Sequence, residues 1–254
     1  SLTPMWTSQP LSAWPGSMPE GMGKGWTCWS HQPDNASKWP QKARVQVLHT
    51  LSSQYAQAGL EPPSTLATLK KDDCRIVTVG HQLVLAGGPA FFHHKVLSAI
   101  RTARALSAEL SIPVVPLFWM ASEDHDWQEV AALEGETATH RWRPLDAETP
   151  HPVGRRSLEG LQEVFSAWSS DLSKEGVVAD VVEEFQKAQA LGESLSGLMR
   201  RWLHRWYGHE GLLVFDADDA SLKVFASHLW AAEFEGHGVH SVLQGKEGMI
   251  GPAH

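Results

Sequence analysis

The sequence has few cysteines and no long apolar runs. Its 254 residues include two cysteines, Cys28 and Cys74. Two cysteines cannot form a disulfide framework, so a reducing compartment is expected. No apolar run approaches the roughly 18 residues that span a bilayer, and the start "SLTPMWTSQP" lacks the basic and apolar regions of a signal peptide. These absences predict a cytoplasmic protein that does not contact a membrane.

The sequence also lacks a basic excess. It contains 21 lysines and arginines against 29 aspartates and glutamates, which gives a formal net charge of -8. A general nucleic-acid binder usually has an excess of basic residues or a basic stripe. We therefore expect small molecules or proteins as partners, and no nucleic acid.

Two regions differ in composition. Residues 1–38 are rich in Trp, Pro, Gly and Ser and show no sustained period, so they are predicted to form an irregular arm. Its tryptophans would pin the arm onto the body or, alternatively, stack on a ligand; they are Trp6, Trp14, Trp26 and Trp29. Residues 39–254 are predicted to form one partial Rossmann-like core.

Strands and helices alternate along this core. Apolar residues at helical spacing predict helices over 38–58 (with Val45, Leu48, Leu51 and Tyr55 on the buried face), 89–110, 158–168, 177–207 and 220–234. Continuous apolar runs predict buried strands at 74–80, 112–120 and 212–215, and a loop or hairpin is expected over 141–157. Strand, helix and strand in succession indicate a βαβ unit with parallel strands. The predicted fold class is α/β, with a mainly parallel sheet and flanking helices.

Polar clusters follow each predicted strand. The carboxyl ends of parallel strands lie at one edge of a sheet, where open α/β folds bind ligands. We therefore predict a site at that edge. The residues after the first strand are Gly80, His81 and Gln82, followed by Gly87, Gly88 and Pro89; the second strand is followed by Glu123, Asp124, His125 and Asp126, and the third contributes Asp216 and Asp218.

The glycine segment has two interpretations. Gly87 and Gly88 before Pro89 could be a permissive turn. Alternatively, they let backbone N–H groups approach an anion at a helix N-terminus, with His94 or Lys95 adding charge. The segment is neither a Walker loop nor GxGxxG, so no standard nucleotide motif supports the second interpretation.

The segment "EDHD" is open to three interpretations. It could be a solvated loop in which Asp126 caps a helix that contains Glu129. It could ligate a metal through His125 and carboxylates, or perform general acid and base catalysis. No HExxH or CxxC is present, so magnesium bound through phosphates is favoured over zinc, and no residue is assigned as a metal ligand. Asp216 and Asp218 are secondary candidates that could equally cap turns, and His93 is interpreted as a packing residue.

The chain resembles a known family in four successive segments. They are "VTVGHQLVLAGGPAFFHHKVLSAIRTARAL", "IPVVPLFWMASEDHDWQEV", "HPVG" and "GLLVFDADDASLK". In this order they are similar to the motifs of the bacillithiol biosynthesis cysteine-adding enzymes, over about Trp39 to Gln244. The resemblance implies a Rossmann-like core, and a ligase that joins L-cysteine to the amine of glucosaminyl malate.

The resemblance also implies a mechanism. A carboxylate must be activated before an amine attacks it, and ATP with Mg²⁺ is the expected means. Backbone N–H groups and Lys95 would hold phosphates, and a residue between Glu123 and Asp126 would accept the amine proton. A homo-oligomer is also considered.

The sequence departs from the family pattern at two places. The family usually has Gly-Gln-Gln where this chain has Gly80-His81-Gln82, and Thr-Gly-Pro where it has Gly87-Gly88-Pro89. The family chain is also longer and includes a coiled-coil region, so this sequence is expected to be a fragment or to be completed by another chain.

The alternative function is an anionic-metabolite binding or regulatory module, or a different amide-forming ligase.

Overall fold

The computed structural model describes residues 41–172 and 175–236. The predicted arm, its four tryptophans and Cys28 lie outside these residues. The described helices are α1 (Gln41–Gln57), α2 (Thr65–Thr68), α3 (Ala90–Leu110), α4 (Trp127–Val130), α5 (Leu161–Ser170), α6 (Glu175–Ala190), α7 (Leu195–Tyr207), α8 (Ala220–Lys223) and α9 (Ser227–Gly236). The strands are β1 (Arg75–His81), β2 (Val114–Met120), β3 (Ala132–Glu134), β4 (Thr139–Arg141) and β5 (Leu213–Asp216).

The three predicted strands form one parallel sheet in the order β1-β2-β5. Val79 pairs with Phe118, which pairs in turn with Val214. The parallel βαβ unit is therefore confirmed, and with it the α/β, Rossmann-like fold class. A separate antiparallel hairpin joins β3 and β4, and the segment after it is a loop with a short 3-10 turn at Val153–Arg155.

The sheet is packed on both faces, because its strands alternate between two hydrophobic clusters. Phe118 and Val214 face one cluster, which includes apolar residues of α3, α5, α6 and α7. Val115 and Leu213 face the other, which includes Leu51 of α1. Burial of both faces explains why β2 and β5 are continuous apolar runs in the sequence.

Four expectations need correction. β1 is only half-buried, because it is an edge strand of the sheet among the described residues. Val45 of α1 is 55% exposed, and the buried side of that helix carries polar residues instead. The helical run 177–207 is two helices, divided at Gly192, whose φ of +65° ends α6. The run 220–234 is divided by a 3-10 turn at Val224–Ala226.

None of the helices within the described ranges is both long and apolar enough to cross a membrane.

Candidate functional site

The three strand ends meet at one edge of the sheet, as predicted. His81 of β1 pairs with Met120 of β2, and Met120 pairs with Asp216 of β5. The backbone N–H of Ala121 also donates to the carbonyl of His81 at 3.0 Å. The residues that follow these strands are therefore neighbours, although they are far apart in the sequence.

A side-chain hydrogen bond links the first strand end to the second. Gln82 Nε2 donates to Asp124 Oδ2 at 2.6 Å. Two hydrogen bonds hold the pKa of Asp124 below its usual value. The bond from Gln82 has the larger effect, and the bond from the backbone N–H of Asp126 has the next largest. Asp124 is thus a fixed carboxylate at the predicted site.

His81 is placed by aromatic packing. Its ring lies 5.4 Å from that of Phe91 and 5.2 Å from that of Phe92, measured between centroids, and its Nδ1 lies 2.9 Å from the carbonyl oxygen of Gln82. The residue that departs from the family pattern therefore contacts the first turn of α3.

The glycine segment is a tight turn filled by the protein's own side chains. Ala86, Gly87 and Gly88 all have positive φ, of 49°, 90° and 62°. A Cβ on Gly87 would lie 2.9 Å from the ring of His93, and one on Gly88 would lie 2.8 Å from Cβ of Val84. The turn interpretation thus explains both glycines, and anion binding by this segment stays a prediction.

The predicted cations beside this turn lie at the start of α3. The helix was predicted to begin at Pro89, but Pro89 is its N-cap, with an extended backbone (φ -75°, ψ 155°), and the first helical residue is Ala90. His94 and Lys95 are exposed, and Lys95 Nζ lies 5.8 Å from the ring centroid of Phe91. His93 packs against other rings and its Nδ1 lies 2.6 Å from the Tyr207 hydroxyl, which agrees with its interpretation as a packing residue.

The "EDHD" segment divides into residues of different character. Asp126 caps α4, since its Oδ1 accepts the N–H groups of Gln128 at 3.0 Å and Glu129 at 3.3 Å. His125 is 88% exposed at its side chain, and its Nδ1 lies 3.7 Å from Asp124 Oδ1. Glu123 is exposed. Asp126 therefore has the capping role considered from sequence, whereas Asp124 and His125 form an accessible pair.

The segment that contains "HPVG" supports the second strand end. The N–H of Val153 donates to the carbonyl of Asp124 at 2.6 Å, and that of Gly154 donates to the carbonyl of Ser122 at 2.8 Å. A Cβ on Gly154 would lie 2.5 Å from Cβ of Ser122, so only glycine permits this approach. The motif thus positions the acidic loop.

The third strand end is crowded with carboxylates. Asp216 Oδ1 accepts hydrogen bonds from the Ser122 hydroxyl and, at 3.1 Å, from the N–H of Asp218. Asp218 is paired with Arg155, at 2.9 Å from Nη2, and with Lys223. Burial opposes ionisation of Asp218, but these two cations outweigh it and lower its pKa. Asp218 is therefore engaged by protein cations.

A cavity of about 230 Å³ lies beside this third strand end. Its wall is built from the end of α1, the start of α7 and the residues after β5. The lining includes Gln54, Ser196, Gly197, Arg200, Asp216 and Asp219. Asp216 and Asp218, which also lines the cavity, were predicted site residues.

Arg200 and Gln54 could have been noticed in the sequence. Each is a polar residue inside an apolar helical pattern: Gln54 is three positions after Leu51, and Arg200 stands between Met199 and Trp202. Both are buried. Such a position in a sequence indicates a buried polar network, although it does not say where the network lies.

Within residues 41–172 and 175–236, no group of three or more His, Cys, Asp or Glu side chains is arranged to hold a metal ion.

Comparison with known proteins gives a consistent result. Residues 27–249 match the family model described as "Bacillithiol biosynthesis BshC, N-terminal Rossmann-like domain". The chain is 30% identical over 193 residues to a protein of Flavobacterium johnsoniae, 28% over 207 residues to one of Salinibacter ruber and 29% over 205 residues to one of Staphylococcus carnosus. Each of the three is named "Putative cysteine ligase BshC".

These matches cover most of this chain and a smaller part of each relative. They include 75%, 79% and 75% of this chain, but 36%, 38% and 37% of the three relatives. The chain therefore spans little more than a third of the length of the curated relatives it matches.

Proposed function

This chain belongs to the bacillithiol biosynthesis BshC family, as its N-terminal Rossmann-like domain, and we propose that it carries the reaction site of a cysteine ligase. The ligase would join the carboxyl group of L-cysteine to the amine of glucosaminyl malate. The names of the relatives support a ligase of this class.

One observation carries the proposal within the structure. The three strand ends that hold the predicted site residues form one continuous edge, and hydrogen bonds connect them from Gln82 to Asp124 and from Ser122 to Asp216. Strand ends of this kind are where open α/β sheets bind ligands.

The exposed pair at the second strand end suits proton transfer. In the bond-forming step the amine nitrogen attacks the activated carbonyl carbon, the activating group leaves with its bonding electrons, and the nitrogen loses one proton. His125 would accept that proton, since its side chain is accessible and Asp124 lies 3.7 Å away to stabilise the cation that forms. Asp124 is itself held by Gln82, so it positions the histidine.

ATP is proposed as the source of activation, because a free carboxylate does not react with an amine at a useful rate. Its phosphates are proposed to lie at the start of α3, close to the exposed side chains of His94 and Lys95. The turn at Gly87 and Gly88 fits phosphates less well, because His93 and Val84 already occupy the space beside it. Mg²⁺ would enter with the phosphates, since the described residues offer it no cluster of three ligands.

The test uses the protein expressed from its complete reading frame. It is incubated with glucosaminyl malate, L-cysteine, ATP and Mg²⁺, and bacillithiol is measured by mass spectrometry. We expect product from the wild type and its loss, by at least about a hundredfold, in His125→Ala and Asp124→Ala. Glu129→Gln is the matched control: it removes an exposed carboxylate from α4, close to the pair, and should retain turnover.

Absence of product from the folded wild-type protein would overturn the proposed function. If it binds the substrates without turnover, the alternative of a binding or regulatory module is favoured. Unchanged turnover in His125→Ala would remove this residue from the mechanism while leaving the ligase assignment in place.

A further inference from the structure

The cavity beside the third strand end is lined by a buried arginine. Arg200 is 5% exposed, and burial lowers the pKa of its guanidinium while the carboxylates of Asp216, Glu193 and Asp219 oppose that shift from beyond ion-pair distance. Its Nη2 donates to Gln54 Oε1 at 2.9 Å, whereas its Nε is buried and has no partner among the described residues. Burying a charge is costly, and no described carboxylate contacts this guanidinium directly, so it is suited to bind an anion.

The start of α7 adds donors to the same wall. The N–H groups of Leu195 and Leu198 are bonded to carbonyls, but those of Ser196 and Gly197 have no partner among the residues described, and Ser194 provides no side-chain cap. Both Ser196 and Gly197 line the cavity. The N-terminus of a 13-residue helix also has a partial positive charge, so it favours the same anion as Arg200.

The same cavity is also lined by carboxylates. Of the carboxylates that line the cavity, Glu193 is paired with Arg201 at 2.8 Å, and Asp218 with Arg155 and Lys223. Asp216 and Asp219 form no ion pair with a described residue. Their carboxylates accept only uncharged donors, from Ser122, Gln54 and backbone N–H groups among others.

The cavity thus presents groups of both charges in a small volume. Its size of about 230 Å³ is below the roughly 300–1,000 Å³ of sites for drug-sized ligands. A dianion would meet Asp216 and Asp219, and a simple cation would meet Arg200. The ligand that satisfies both sets of groups is a small zwitterion with a carboxylate and an ammonium group close together.

We propose that this cavity binds the backbone of an α-amino acid. Arg200 and the N–H groups of Ser196 and Gly197 bind its carboxylate, and Asp216 and Asp219 bind its ammonium group. The identification of that amino acid as L-cysteine rests on the proposed function, whereas the zwitterion site does not.

Binding is measured by calorimetry with four probes: L-alanine, L-cysteine, propionate, which lacks the ammonium group, and L-malate, which is a dianion. Both amino acids should bind, and propionate and L-malate should bind at least about tenfold more weakly, because a hydrogen bond to a charged group contributes on the order of a tenfold or greater change in affinity.

The variants distinguish the cationic groups of the cavity from the acidic ones. Arg200→Lys keeps the charge but loses the planar fork, and should weaken L-alanine and propionate about tenfold alike. Asp219→Asn retains the N-cap of α8 and should weaken L-alanine while leaving propionate unchanged. Arg205→Gln is the matched control for Arg200→Lys. It removes an exposed cation from α7, the helix that also carries Arg200, at a position outside the cavity.

Several outcomes would overturn the inference. They are no binding of L-alanine or L-cysteine by the folded wild type, tighter binding of L-malate than of L-alanine, or equal affinities in Arg200→Lys and the wild type. Amino-acid binding without bacillithiol formation would leave the inference standing and contradict the proposed function. Bacillithiol formation by the wild type, together with unaltered amino-acid binding in Arg200→Lys and Asp219→Asn, would support the proposed function and contradict the inference.

Discussion

The two sides of the candidate site are constructed in different ways. Beside β1, the turn through Gly87 and Gly88 follows from backbone conformation, with positive φ angles and side chains packed against the glycines. Beside β5, Gln54 of α1 forms hydrogen bonds with the strand end, and Arg200 of α7 donates to Gln54. The comparison teaches that a glycine-rich motif can specify shape alone, while a polar cavity depends on contacts between distant segments.

The largest expected loss of stability comes from disrupting the side-chain network at β5. Gln54→Ala removes the partner of Arg200 Nη2 and the partners of both the N–H and the carbonyl of Asp216. Buried groups left without partners cost about 1–3 kcal/mol each, so we expect a loss of about 3 kcal/mol in the free energy of unfolding, measured with urea. Gln57→Ala, an exposed position on the same helix, should change it by less than about 0.5 kcal/mol.

A smaller effect is expected at the backbone turn. Gly87→Ala places a methyl group at a φ of +90°, 2.9 Å from the His93 ring, and should cost about 2 kcal/mol of unfolding free energy. Gly192→Ala has a similar φ of +65° but no atom within 4 Å, so it should cost about 1 kcal/mol, the conformational part alone. Equal losses in the two variants would show that packing against His93 contributes nothing.

The smallest expected effect is on the pH dependence of the free energy of unfolding. The pKa of Asp218 is lowered in the folded protein, so the unfolded state binds more protons as the pH falls through the ordinary aspartate range. The contribution of Asp218 is therefore complete above about pH 5 and is lost below it. Asp218→Asn should cost about 1 kcal/mol at pH 7 and make the loss of stability between about pH 5 and pH 3 shallower.

Asp124→Asn provides the comparison for this pH effect at the other side of the site. The pKa of Asp124 is also lowered, chiefly by the Gln82 hydrogen bond, and its side chain is 30% exposed. Its influence on acid unfolding should be smaller than that of Asp218, which is 3% exposed and paired with two cations. A larger effect at Asp124 would contradict the importance given to the ion pairs at β5.

The sequence was sufficient to predict the sheet because its signals are local. Strands buried on both faces are continuous apolar runs, and the polar residues that follow such runs necessarily reach the same edge. The placement of His81, Asp124 and Asp216 at that edge was predictable on this basis. Their roles in catalysis and binding stay predictions, as do ATP and Mg²⁺.

The cavity could not be predicted in the same way. Gln54 and Arg200 are 146 positions apart, and helical periodicity gives the buried side of a helix without giving its neighbour. The same limitation explains Val45, which fits the apolar period of α1 but is exposed, while Arg44 on that helix is buried and bonded to the carbonyls of Leu69 and Lys71.

The contacts of α1 also determine where the sheet can grow. Gln54 accepts from the N–H of Asp216 and donates to its carbonyl, and the Tyr55 hydroxyl accepts from the N–H of Val214. These are the bonds that a neighbouring strand would make, so α1 acts as a surrogate strand that blocks β5 from pairing further. Among the described residues, the edge of the sheet beside β1 is the one left open to a further strand.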